Sequence, residues 1–166
     1  MVKVISWDVD NEKQISNWQY TGPVGEGGKP IQYPIQLDWS PDKSHLAIGT
    51  LGEEGDNGTP IWQGHVYVVN IQNGSTILKH NVGGLRHRAD VKALACRPDG
   101  KAILVGTQLG LKKAVAVDSG RLIFSHPLHS TCIQSLAWSH DGAGALEGIR
   151  LRISAIWMEQ PESSRS

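Results

Sequence analysis

Leu94-Ala95-Cys96-Arg97-Pro98-Asp99-Gly100 and Leu136-Ala137-Trp138-Ser139-His140-Asp141-Gly142 are two versions of one line, and Leu37-Asp38-Trp39-Ser40-Pro41-Asp42 is a third. Each is an apolar run ending in a Pro-Asp-Gly type of turn, where Asp bonds its own backbone and Gly accepts positive φ. Cys96 and Trp138 occupy the same place in successive copies. Their separation falls in the range of roughly 40–45 residues that, with several short strands per repeat, denotes an array of small sheet units. The fold class is therefore all-β.

The flanking residues repeat as well. Val91-Lys92-Ala93-Leu94 and Ile133-Gln134-Ser135-Leu136 open their units in register, with Ile35-Gln36-Leu37 as the earlier counterpart. After each turn comes a second strand, Leu46-Ala47-Ile48-Gly49-Thr50 and Ile103-Leu104-Val105-Gly106-Thr107, both ending in Gly-Thr. Small residues there let neighbouring strands approach closely, as a tapered radial assembly requires. His65 to Ile71 is rich in β-branched residues and stops at Gln72-Asn73-Gly74, a hairpin turn followed by Ser75-Thr76-Ile77-Leu78. Ala114 to Val117, Asp118-Ser119-Gly120 and Arg121 to Phe124 repeat that hairpin, and Val4 to Val9, Asp10-Asn11-Glu12 and Gln14 to Ser16 begin the chain with it. Trp39 and Cys96 stand farther apart than Cys96 and Trp138, and the surplus lies in Leu51 to Gln63, which reads as a surface loop. Gly22 to Pro30 reads as a second irregular link.

Composition narrows the function classes. Hydrophobic residues make up 39% and charged residues 19%, which is a globular balance. Sixteen basic and sixteen acidic residues cancel, so no net field draws the chain to nucleic acid or an acidic membrane. The start of the sequence lacks the apolar run of a signal peptide, and no segment reaches transmembrane length. Cys96 and Cys132 are too few for a disulfide framework and are expected to be reduced core residues on strands. The expected location is cytoplasmic or nuclear.

These residues resemble the WD-repeat family of β-propellers. Trp7-Asp8 matches the family's dipeptide at the end of a third strand, with Val69-Asn70 and Val115-Ala116 in its later places. His87 before Val91 and His129 before Ile133, separated by the same interval as Cys96 and Trp138, match the family's histidine before each new blade. The resemblance makes Trp7, Asp8, Trp39, His87, Asp99, His129 and Trp138 structural repeat positions. Only one dipeptide site keeps Trp-Asp, and Gln108-Leu109-Gly110 lacks the family's Asp between second and third strands. The buried Asp–His–Ser/Thr–Trp network of the family is thus expected to be broken.

Read this way, residues 1–20 hold the last two strands of a blade, 34–82 one blade, 88–126 another, and 132–158 the start of a fourth. The expectation is a propeller fragment over 1–158, about three blades, with a polar tail at 159–166. Closed propellers use roughly 4–8 blades. An arc leaves strand edges open to self-association or completion by another chain.

No pattern of catalytic or ligating residues emerges. Gly28-Lys29 lacks the preceding Gly and the following Ser or Thr of a phosphate loop, since Pro23 and Pro30 stand there. Glu53, Glu54 and Asp56 lack the alternating ligands of a calcium loop. His126 and His129 have no third metal ligand at a recognisable spacing. Ser125, Ser130 and Cys132 form no nucleophile elbow. Catalytic, cofactor and metal residues are therefore expected to be none, and the chain is expected not to be an enzyme. Other proteins are the expected partners, with no nucleic acid and no membrane, and Trp62 is a candidate partner contact.

The resemblance implies a non-catalytic scaffold, a subunit or adaptor of a larger complex. Arg97 to Ile103 and Ile153 to Glu159 are similar to segments of the subunit-four propellers of the anaphase-promoting complex, which implies a structural subunit of a ubiquitin ligase. The alternatives are a propeller hydrolase or lactonase, whose blade entrances need polar ligands where Ile35, Val91 and Ile133 stand, and a truncated product without independent function.

Overall fold

The computed structural model describes residues 2–20, 32–56, 59–62, 64–83, 89–127, 131–149 and 152–157. Fourteen strands and no helix are formed among them. β1 (Val2–Asp8) and β2 (Lys13–Tyr20) make a two-stranded sheet. The second sheet runs β3 (Gln32–Trp39), β4 (His45–Asp56), β6 (His65–Asn70), β7 (Thr76–Asn81), with β5 (Thr59–Trp62) paired to the far end of β4. The third runs β8 (Val91–Cys96), β9 (Ala102–Thr107), β10 (Leu111–Ala116), β11 (Leu122–Pro127), and the fourth β12 (Ile133–Trp138), β13 (Gly144–Ile149), β14 (Arg152–Trp157). All pairs are antiparallel.

Consecutive strands pair because their turns are short and chemically specified. Arg97 and Ser139 each start a turn closed by a backbone bond from Gly100 or Gly142, at φ 72° and 69°. Lys43 takes the same place after Ser40 at φ 59°. Left-handed backbone is disfavoured for a residue with a Cβ, so Lys43 sits where the repeat uses glycine. Two register shifts recur as well: one in the first strand, at Ile35, Lys92 and Gln134, and one where the third strand meets the fourth, after Ser6, Val68 and Ala114. These bulges identify β1 as a third strand, equivalent to β6 and β10.

Each sheet shows one face to the sheet before it, the leading face, and one to the sheet after it, the trailing face. Between the second and third sheets lies a cluster of Ala47, Val66, Val68, Leu78, Val82, Val91, Ile103, Val105 and Val115. Between the third and fourth lie Ala95, Leu104, Ala114 and Ala145, with Phe124, Leu136 and Trp138 packed against them. Val91 and Leu94 press on Gly49, where a Cβ would stand 2.4 and 3.1 Å from them; Ile133 and Leu136 press on Gly106 in the same way, at 2.5 and 3.2 Å. The Gly-Thr endings thus mark where one sheet nests into the next, as their small size predicts.

The structure corrects two expectations. Residues 51–63 are not a plain loop: β4 continues through Asp56 and turns back as β5, with Glu53 opposite Trp62 and Asp56 opposite Thr59. Threonine, isoleucine and tryptophan supply the β-propensity that the glycines and acids masked. Cys132 precedes β12 rather than lying on it, and both thiols are half-buried rather than fully in the core. The Gly22 to Pro30 link and the tail at 159–166 lie outside the described residues.

Candidate functional site

The seams between sheets are held by polar bonds as well as apolar packing. Asp38, at the end of β3, accepts the backbone N–H of Cys96 at the end of β8 at 2.7 Å. One seam later, the Trp138 indole donates to the Ala95 carbonyl at 2.8 Å. Arg97 reaches the same seam, its Nε 3.2 Å from the Gly142 carbonyl and its guanidinium 5.6 Å from the centre of the Trp138 ring. Each bond ties a first strand or its turn to the next unit.

The third and fourth sheets also share an ion pair that sequence reading missed. Lys112 Nζ lies 2.6 Å from Glu147 Oε2, and both side chains are about 1% exposed. The register explains where it sits. Lys112 faces Gly106 across its ladder as Val66 faces Gly49, and Glu147 stands one full repeat after Val105. Val66 and Val105 belong to the apolar cluster one seam earlier. A pair of valine positions has become a lysine and a glutamate together, and no local pattern in either strand announces the match.

The outer faces contrast with the seams. On the leading face of the second sheet, Leu37 is 56% and Trp39 43% exposed, whereas the equivalent Leu94 and Leu136 are packed onto the sheet before them. On the trailing face of the fourth sheet, Leu146 is 51% exposed, whereas the equivalent Leu104 is fully buried. Ile5 and Trp7 are exposed on β1. Leu46, Ile48, Tyr67 and Val69, farther out on the leading side of the second sheet, form a buried cluster of their own. A cleft of about 740 Å³ opens between the β1–β2 hairpin and the second sheet, with Trp7, Ile15, Trp39 and Ile71 on its walls.

The remaining repeat residues fall on turns and seams. Asp8 caps the β1–β2 turn by accepting from the backbone of Asp10 and Asn11, both at 3.1 Å, as Asn70 does for Gln72 and Asn73. Asp99 accepts the Lys101 N–H at 2.9 Å. His87 and His129 lie outside the described residues, and for Trp62 only the strand is described. His126 is exposed beside Phe124 on β11, their rings 5.7 Å apart.

Electrostatics around the thiols disfavour nucleophilic chemistry. Burial pushes the Cys96 thiol up to about 12, assisted by the Asp38 charge. Burial also raises Cys132. A thiol that stays protonated at neutral pH is a poor nucleophile. Among the described residues no three His, Cys, Asp or Glu side chains converge as metal ligands, and no helix is long and apolar enough to cross a membrane.

Antiparallel units with a ladder of up to four strands, one of them carrying β5 as an appended fifth, stack face to face with recurring turns and bulges and with the sheets left unclosed, and make this chain a partial WD-repeat β-propeller. The sequence family described as the anaphase-promoting complex subunit 4 WD40 domain matches residues 57–141, and the chain belongs to that family. Among solved structures, Kuenenia stuttgartiensis hydrazine synthase superposes with a TM-score of 0.73 at 13% identity, over 94% of this chain and 51% of that one. A chain of a mitotic checkpoint complex superposes with a TM-score of 0.62 at 21% identity, over 88% of this chain and 39% of that one. The chain thus spans about half or less of the structures it matches, and at these identities the likeness is one of fold. Comparison with curated protein sequences finds no match.

Proposed function

We infer that the chain is a non-catalytic interaction scaffold that serves as a structural subunit or adaptor of a ubiquitin ligase of the anaphase-promoting type. The observation that carries this reading is the exposed apolar surface at Leu37, Trp39 and Leu146, in a family named for a subunit of that complex. Apolar surface of this kind on a rigid repeat marks a protein contact. Balanced charge favours protein partners over nucleic acid or membrane. The recurring bulges and turns support a division into partial blade 1–20, blades 34–82 and 88–126, and partial blade 132–158, with residues 159–166 outside them. Trp62 ends β5, a strand appended beyond the regular ladder, which supports it as a further partner contact. The cytoplasm or nucleus is the compartment that fits a ligase subunit.

Affinity capture of the tagged chain from dividing cells, with immunoblotting for other subunits of that ligase, tests the reading. Co-purification that survives moderate salt is expected. Recovery free of every ligase subunit would overturn it.

A further inference from the structure

The seam between the second and third sheets has a gap that the next seam fills. Between the third and fourth sheets, the Trp138 indole donates to the Ala95 carbonyl at 2.8 Å and lies under the Arg97 guanidinium at 5.6 Å. One repeat earlier, Cys96 stands in the place of Trp138, Ser40 in that of Arg97 and Asp38 in that of Ala95. A cavity of about 360 Å³ opens there, with Ser40, Ala47, Val68, Cys96 and Ile103 among its walls.

The repeat register accounts for this space. Val68 faces Ala47 across its ladder as Ala114 faces Leu104, and Cys96 faces Ile103 as Trp138 faces Ala145. The aliphatic walls nearly balance: Leu104, Ala114 and Ala145 in one seam answer to Ala47, Val68 and Ile103 in the other. The stacked pair does not balance, because a thiol and a hydroxyl replace an indole and a guanidinium. Only Asp38 adds bulk, and its carboxylate accepts the Cys96 N–H at 2.7 Å. What is missing is a ring and a cation.

The two mouths differ in charge in the same way. Asp99 Oδ2 lies 3.7 Å from Arg97 Nε. Its counterpart Asp42 has the Ser40 and Ser44 hydroxyls at 2.5 Å instead. Asp42, Pro98 and Asp99 are exposed at the turn end of the cavity, whereas Ala47, Val68 and Ile103 are buried at its floor.

We propose that this cavity binds a tryptophan side chain of a partner protein, flanked in that partner by an arginine or lysine. The ring takes the place that Trp138 holds one seam on, against Ala47 and Val68, with its N–H toward the Asp38 carbonyl. The adjoining cation covers the ring and faces Asp42, as Arg97 covers Trp138 and faces Asp99. An apolar cavity of roughly 150 Å³ already admits a benzene ring, so this one has room for an indole. A tryptophan seated in a pocket is a common anchor of protein interfaces. The inference rests on the scaffold reading, since it names the side chain that a partner inserts.

The purified full chain and blocked dipeptides test the site apart from the ligase assignment. Arg-Trp is expected to bind with a dissociation constant on the order of 1 mM, shifting the methyl resonances of Val68, Ile103 and Val117. Arg-Ala shifts none of them. Cys96→Trp fills the cavity from within, raising Tm and abolishing binding. Cys96→Phe places a smaller ring there with the same effect on binding, and keeps the test open if the indole variant fails to fold. Asp42→Asn weakens Arg-Trp about 2- to 5-fold and leaves Ala-Trp unchanged. No saturable shift by about 10 mM, or binding that survives the Cys96 variants, would overturn the site. Equal effects of Asp42→Asn on both tryptophan peptides would overturn the flanking cation. Binding of free indole without either peptide would give the cavity to a small aromatic ligand and overturn the partner side chain. Failure of these probes leaves ligase capture intact, and failure of capture leaves the probe binding measurable.

Discussion

At the scale of single residues, this chain is a repeat with identifiable substitutions in it. The first-to-second-strand turns use Gly100 and Gly142, and the third-to-fourth-strand turns use Gly74 and Gly120, all at positive φ. Lys43 and Glu12 stand at the equivalent places, at φ 59° and 53°, and both are exposed. Holding a residue with a Cβ in the left-handed region costs about 1–3 kcal/mol, partly offset because glycine loses more backbone freedom on folding. Lys43→Gly and Glu12→Gly are each expected to stabilise the chain by about 0.5–1 kcal/mol. In a domain of this size that is a rise of about 1–4 °C in Tm by calorimetry. The turn carboxylates carry a pH dependence. The Ser40 and Ser44 hydroxyls, each 2.5 Å from Asp42, hold its carboxyl well below the usual range. Ser139, at 2.6 Å, also lowers the Asp141 carboxyl, and Asn11 lowers that of Asp8. A carboxyl lowered in the folded state stabilises the fold above the unfolded value near 3.8 and loses that contribution as pH falls through the folded value. Denaturant midpoints are thus expected to fall below pH 4, and the fall to be shallower in Asp42→Asn and Asp141→Asn.

At the scale of elements, sequence reading captured what is local and repeated and missed what pairs across sheets. The repeated strand-and-turn line, the Asp-Gly turns and the Gly-Thr endings are each written in contiguous residues, so strands and their order were legible. β5 was not, because glycines and acids on the far end of β4 obscure a hairpin whose strand signal is four residues long. The Lys112–Glu147 pair was not legible either: each residue looks solvent-facing in its own strand, and their partnership exists only once β10 and β13 stack. Its energetics are testable. Removing one partner of a buried pair strands a charge and costs about 3–5 kcal/mol, while replacing both with apolar residues is often neutral or stabilising. Lys112→Val and Glu147→Val are each expected to lower stability by that amount in urea titrations. The double variant, which restores the valines of the preceding seam, is expected to return to within about 1 kcal/mol of wild type. A double variant as unstable as the sum of the singles would show that the pair contributes more than its own mutual neutralisation.

At the scale of the whole molecule, stability is carried by seams between neighbours, as in any stacked repeat, where each unit depends on the units it touches. Five features join the fourth sheet to the third: the apolar nest of Ile133 and Leu136 on Gly106, the cluster of Ala95, Leu104, Ala114 and Ala145, the Trp138–Ala95 bond, the Arg97–Gly142 bond, and the Lys112–Glu147 pair. The second and third sheets share the larger apolar cluster and the Asp38–Cys96 bond. Among the described residues the fourth sheet is held to the others through this one seam, and Gly106 is the point at which to release it. A Cβ there would stand 2.5 Å from Ile133 Cγ2 and 2.9 Å from its Cβ, and a β-branched side chain fixed in a core cannot withdraw from that contact. Gly106→Ala is expected to cost about 1–3 kcal/mol through overpacking at that seam. Hydrogen exchange should show where the cost falls: amides of β12 and β13 lose protection by about one to two orders of magnitude, while those of β6 and β9 change little. Equal loss across all four strands would mean that the sheets unfold as one cooperative body and that the seam at Gly106 is no weaker than its neighbour.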